Sequence, residues 1–251
     1  MAEGLRGYSY PNPGAQERAG FQVVPTDLSK EDAGHLPGEY QSIILEAWAE
    51  QFSGLFTPEQ IRQTADPHNP KLVANQKARI KNTNPADRPT YVHALILLPK
   101  PVTQEEDHWI PVGIGKGKYA DSRPRWQRII SSYTPPEDRL ADISDVFVRP
   151  TFLHGRVSMH GKGFGSAILR SLLDAYPDDM PTVVYDYEIN ERLQPVLANL
   201  GFQAVEGSTR PVELFGTKVQ QTRYDGPARG DLVERLEARR PWLRDRQPIA
   251  G

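Results

Sequence analysis

The run from "ADISDVFV" through "HGKGFGSAILRSLLDAY" to "TVVYDYEI" (141–189) constrains the chain most. A strand pattern, a turn with three glycines, an amphipathic helix and a second strand pattern follow one another. Strands that alternate with single helices belong to α/β folds, where the helix crosses over a sheet. Ile168, Leu169, Leu172, Leu173 and Tyr176 mark the helix's apolar stripe. "NERLQPVLANLGF" (190–202) reads as a helix closing on Gly201, and "TKVQQTRYD" (217–225) as a further strand. Upstream, "FQVVPTD" (21–27), "TYVHALILL" (90–98) and "HWIPVGIGKG" (108–117) read as strands, the last two as an antiparallel pair.

Helical patterns fill the rest. "GEYQSIILEAWAEQFSG" (38–54) carries Ile43, Ile44, Ala47, Trp48 and Phe52 at helical spacing, and "KLVANQKARIKNT" (71–83) reads as a helix too. "TPEQIRQTA" opens with Thr57 as N-cap, Pro58 at the first helical position and Gln60 at the capping-box position. "RGDLVERLEARRPWL" (229–243) is a terminal amphipathic helix, its stripe formed by Leu232, Val233, Leu236 and Leu243. The expected organisation is a flexible arm over 1–19, one α/β domain with a mixed sheet over 20–227, a helical insert at about 55–88, and a C-terminal helix and tail over 228–251. The 23 prolines fall mainly between elements and stiffen the connections.

A glycine turn feeding a helix exposes backbone N–H groups and the positive end of the helix dipole, which together seat a phosphate. Glycines equally permit a tight strand-to-helix turn and nothing more. Two standard phosphate fingerprints fail. "GRVSMHGKG" (155–163) has one residue too many for a P-loop and Gly163 where a magnesium-binding hydroxyl belongs. The dinucleotide pattern breaks at Ser166, and "GIGKGK" (113–118) precedes a polar loop rather than a helix.

The order "DVFVRP", "HGKGFGSAILRSLL", "VVYDYEINERLQPVLANLGF" resembles the GCN5-related N-acetyltransferase (GNAT) family, specifically over about 141–206 and in outline over 21–225. The resemblance implies a mixed, mostly antiparallel sheet of about six or seven strands, with two central parallel strands splayed around a coenzyme and helices on both faces. It implies acetyl-coenzyme A, or another acyl-coenzyme A, as co-substrate. The pyrophosphate would sit at His160, Gly161, Lys162, Gly163, Phe164, Gly165 and Ser166. Val146 and Val148 would pair with the pantetheine amides. Asn190 would touch the same arm; asparagine is also a favoured N-cap. Asp142 stands where some members carry a glutamate base, and serves equally well as a strand-edge aspartate; Glu188, with Asp186, is a weaker candidate. Plain alternation puts Asp142, Ser144, Val146 and Val148 on one face unless a bulge intervenes.

The sequence departs from the family at three points. Leu197 replaces the usual tyrosine acid, leaving Tyr185, Tyr187 and Tyr224 as candidates. His160 stands where Gln or Arg is usual, and the stretch Pro150–His160 is long. Arg156 in that stretch, like Lys162, either reaches a phosphate or is simply solvated. The resemblance implies an amine acceptor, small molecule or peptide, in a pocket built by residues 38–88 and 117–140. Tyr40, Trp48, Phe52, Phe56, Trp126 and Tyr133 are available to line it or simply to pack.

Charge and composition exclude several classes. A formal net charge of -2 gives no footprint for nucleic acid or an anionic membrane. The absence of cysteine removes disulfides, thiolate metal sites and a cysteine nucleophile. No histidine pair has metal-ligand spacing, so no metal is expected. The apolar runs are short of a bilayer, the N-terminus lacks an apolar signal region, and the expected location is cytoplasmic. The C-terminal stripe makes a homodimer the expected assembly, if there is one.

Overall fold

The computed structural model describes residues 22–26, 38–52, 54–65, 91–99, 109–123, 136–152, 157–159 and 161–244. The expected helix at 71–83, the segment 1–19, His154, Arg156, His160, Trp126 and Tyr133 lie outside them, as does the side chain of Tyr40. The strands are β1 (Gln22–Thr26), β2 (Tyr91–Pro99), β3 (Trp109–Asp121), β4 (Arg139–Val148), β5 (Thr151–Phe152), β6 (Val157–Ser158), β7 (Pro181–Tyr187), β8 (Gln203–Ala204), β9 (Arg210–Leu214) and β10 (Thr217–Ala228). The helices are α1 (Gly38–Gln51), α2 (Pro58–Ala65), α3 (Phe164–Leu173), α4 (Gln194–Leu200) and α5 (Arg229–Arg239).

One eight-stranded sheet runs in the order β1-β2-β3-β4-β7-β10-β8, with β9 also paired to β10. Every pairing is antiparallel except β4 with β7. The mixed, mostly antiparallel architecture is as expected, with one strand more than the upper count. The extra strand is β9, joined to β10 by the two-residue turn Phe215-Gly216, both at positive φ (50° and 78°). That is the backbone of a type I′ hairpin, and a phenylalanine in place of asparagine hid it from a sequence reading.

Helices cover both faces. α3 lies close on β3 because the strand "GIGKG" presents only its glycines on that face. A Cβ on Gly113 would stand 2.8 Å from Ile168, and one on Gly115 would overlap Ile168 and come 2.8 Å from Leu172. These glycines, discarded as a phosphate motif, are a packing groove for a helix. α5 continues the same layer. Leu232, Val233, Leu236 and Leu243 are all buried in the core cluster that holds α3, so the stripe that suggested a dimer is covered by this chain itself.

On the opposite face Ile114 packs with Ile43 of α1. Beside them Phe215 packs edge-on against Trp48, Phe52 and Phe56, at 5.0, 5.8 and 4.9 Å between ring centroids. α2 begins with the expected capping box: Thr57 N–H donates to Gln60 Oε1 at 2.8 Å, and Gln60 N–H to Thr57 Oγ1 at 3.2 Å. Among the described residues no helix is long and apolar enough to cross a membrane.

Candidate active site

β4 and β7 are hydrogen-bonded in parallel only through Ala141↔Thr182 and Asp142↔Val183. Beyond that point the two strands part, β4 continuing to Val148 and β7 to Tyr187. A cavity of about 720 Å³ opens between them, lined by Val146 and Val148 on one side and by Val184 and Tyr185 on the other. That volume suits a cofactor-sized ligand. Its place, off the carboxyl end of a parallel strand, is where α/β sheets bind ligands.

Gly161, Gly163, Phe164, Gly165 and Ser166 line the same cavity; Lys162 lies in the turn but does not line it. In the approach to this turn β5 and β6 pair antiparallel, Thr151 with Ser158 and Phe152 with Val157, and Met159 N–H donates to the Pro150 carbonyl at 3.0 Å. Gly163 is the N-cap of α3 with φ 86°, a left-handed conformation natural to glycine, and no side chain caps the helix. The cap position is tight, since a Cβ on Gly163 would be 2.9 Å from Trp242. One on Gly165 has room, meeting only Val146 at 3.8 Å.

Plain alternation fails along β4. Lys116 pairs with Asp145 and Gly117 with Ile143, so Ser144 is an extra residue bulged out of the ladder. Ile143, Val146 and Val148 oppose Gly117, Gly115 and Gly113 and share the α3 face. Asp142 opposes Lys118 and falls on the other face, with Phe147. The expectation that Asp142 shares a face with Val146 and Val148 is thereby corrected.

Asp142 is buried, and Lys118 Nζ stands 3.1 Å from its Oδ2, compensating the buried charge. It does not line the cavity, but Ser144 does, and the Ser144 hydroxyl donates to Asp142 Oδ1 at 3.4 Å. The nearby Tyr176 hydroxyl is buried without a hydrogen-bond partner; burial first, then Asp142 and Tyr119, push its pKa far up. Glu188 is exposed beyond the end of β7 and does not line the cavity.

Asn190 is not the N-cap of α4, a position held by Leu193. Its side chain donates to Asp186 Oδ1 at 2.8 Å, and the Tyr187 N–H donates to the same oxygen at 2.9 Å. Asp186 Oδ2 is buried with no partner. Burial raises the pKa of Asp186 above the usual aspartate value, against the lowering effect of those two bonds. Leu197 is buried in the cavity wall. Of the three tyrosines considered in its place, Tyr185 lines the cavity, Tyr187 packs with the aromatic cluster, and Tyr224 packs on the main core. Trp48, Phe52 and Phe56 form packed structure and do not line this cavity. Among the described residues no three His, Asp or Glu side chains gather into a metal site.

The sequence matches no known family model and no curated protein. Among solved structures it is similar to a GCN5-related N-acetyltransferase from Rhodopseudomonas palustris, at 15% identity over 82% of this chain and 94% of that one, with a TM-score of 0.45. PaiA N-acetyltransferase from Thermoplasma acidophilum, in complex with coenzyme A, matches at 12% identity over 82% and 99% of the two chains, TM-score 0.44. Arabidopsis thaliana NAA60, in complex with a bisubstrate analogue, matches at 10% over 82% and 99%, TM-score 0.45. Function is therefore read from the chain's own cavity, turn and side chains.

Proposed function

We propose that this chain is a GNAT-type acyltransferase that moves an acetyl or related acyl group from acyl-coenzyme A to an amine. The observation that carries the reading is the parting of β4 from β7 directly over an uncapped, glycine-flanked helix N-terminus. A coenzyme's pantetheine arm is a peptide-like strand, and the free edge of β4 at Val146 and Val148 offers it backbone partners. Its pyrophosphate meets the turn at Gly161–Ser166, where N–H groups and the α3 dipole favour negative charge.

The acceptor amine attacks the thioester carbonyl carbon, the C–N bond forms, the C–S bond breaks, and the ammonium proton leaves. Asp142 is the group we assign to take that proton, acting through Ser144 at the cavity wall. The departing thiolate is a tolerable leaving group near neutral pH, and Tyr185 is the cavity-lining hydroxyl available to protonate it. A second reading, a coenzyme-binding module with little or no turnover, is favoured by Leu197, which puts a hydrocarbon where the family carries an acid.

Calorimetric titration with acetyl-coenzyme A tests the reading, with Gly165→Glu as control. Position 165 accepts a side chain without a clash, so the variant should melt like wild type and lose binding by at least about tenfold, through a carboxylate set against the phosphates. Absence of binding by the wild type sinks both readings. Binding without thiol release across an amine panel selects the second.

A further inference from the structure

Past α5 the chain returns to the glycine turn. α5 runs antiparallel to α3 and is pinned along it. At one end Arg229 Nε donates to the Leu173 carbonyl at 2.7 Å, and farther along Arg170 Nε donates to Glu237 Oε1 at 2.9 Å. The end of α5 therefore arrives at the start of α3. There Arg240 and Trp242 close on Gly163, so near that a Cβ on Gly163 would lie 3.0 Å from Arg240 Nη1.

Arg239 and Arg240 both line the cavity, and among the described residues neither makes an ion pair or side-chain hydrogen bond. Arg239 is the last residue of α5, where the helix dipole alone favours a cation. Arg240 is different. It lies past the helix at φ −138°, and its side chain is only partly exposed. A half-buried guanidinium with no carboxylate partner among the described residues lines the same cavity as the N-terminus of α3. Such an arrangement is unfavourable in isolation and is relieved by an anion that takes both the fork of N–H donors and the backbone N–H groups.

We propose that Arg240, supplied by the C-terminal segment, is the side-chain cation of the anion seat and binds the diphosphate of the acyl carrier against Gly163. The inference rests on the coenzyme reading above and adds a residue that lies outside the stretch resembling the family. Trp242, buried beside Gly163, holds the segment in place.

The test is calorimetric titration of the full chain and its Arg240→Ala, Arg240→Gln and Arg239→Ala variants, each checked by thermal melting. The probes are coenzyme A, 3′-dephospho-coenzyme A and pantetheine. The expected result is a loss of roughly tenfold or more for both phosphate-bearing probes in either Arg240 variant, the size of a lost hydrogen bond to a charged group. Pantetheine binding should not change. Wild-type binding of coenzyme A with Arg240→Ala and Arg240→Gln within twofold overturns the proposal and leaves the coenzyme reading standing. A loss confined to coenzyme A and absent with the dephospho form overturns it also, by placing Arg240 on the ribose phosphate. No binding of coenzyme A by the wild type overturns both.

Discussion

Asp186 is a buried carboxyl with one oxygen satisfied twice and the other not at all. Its folded pKa is raised, so the folded state holds a proton more tightly than the unfolded chain does. The stability it contributes is complete below the unfolded aspartate value, about 3.9, and is lost as pH rises through the raised folded value. Asp186→Asn keeps an acceptor oxygen for Asn190 and has no proton to lose. The melting temperature of wild type relative to Asp186→Asn should therefore fall as pH rises from acid toward neutral, measured by melts across a pH series. A gap that stays constant with pH would show that Asp186 does not titrate in that way. Sequence spacing named Asn190 and Asp186 separately, but only the turn after β7 brings the asparagine amide to the carboxylate.

Where α3 crosses β3 at positions 113 and 115 it meets glycine hydrogens rather than side chains. Gly→Ala inside a strand ordinarily helps slightly, by about 0.5–1 kcal/mol, through backbone entropy. At position 115 the sign reverses, because the new methyl enters space held by the fully buried Ile168 and Leu172. Gly115→Ala should cost about 1–3 kcal/mol by overpacking, read from denaturant unfolding. An unchanged midpoint would mean that α3 can ride higher on the strand. Elements with local causes were legible in the sequence: the Thr57–Gln60 box, the end of α4 at Gly201 (φ 91°), and α3 with its glycine start. Elements with distant causes were not. β9 exists because the Phe215 ring is buried among α1 and α2, which holds a positive φ that local preference disfavours.

At the scale of the molecule, the C-terminal helix is core rather than appendage. Leu232, Val233, Leu236, Trp242 and Leu243 are buried in one cluster with Leu172, Phe202 and the cavity residue Leu197. Truncating one such side chain costs about 2–5 kcal/mol, and a whole domain has about 5–15 kcal/mol to lose. Deleting 229–251 should therefore abolish cooperative unfolding, seen as a missing melting transition, rather than convert an oligomer to a monomer. A truncated chain that melts like wild type would show the helix to be dispensable.

Periodicity, caps and the order of strand, glycine turn and helix determined the α/β class and most element positions, and it was the resemblance that implied a ligand site at Gly161, Gly163, Phe164, Gly165 and Ser166. Each depends on residues within a few positions of one another, where one chain carries its own instructions. The side of the sheet that Asp142 occupies, the packing role of the β3 glycines and the arrival of Arg240 at the turn were decided by tertiary structure alone. A bulge is a mismatch between two strands, a close contact belongs to a helix and a strand distant in sequence, and a returning tail is positioned by everything it packs against. None of these has a local signature, because each is a relation between segments that only folding brings together.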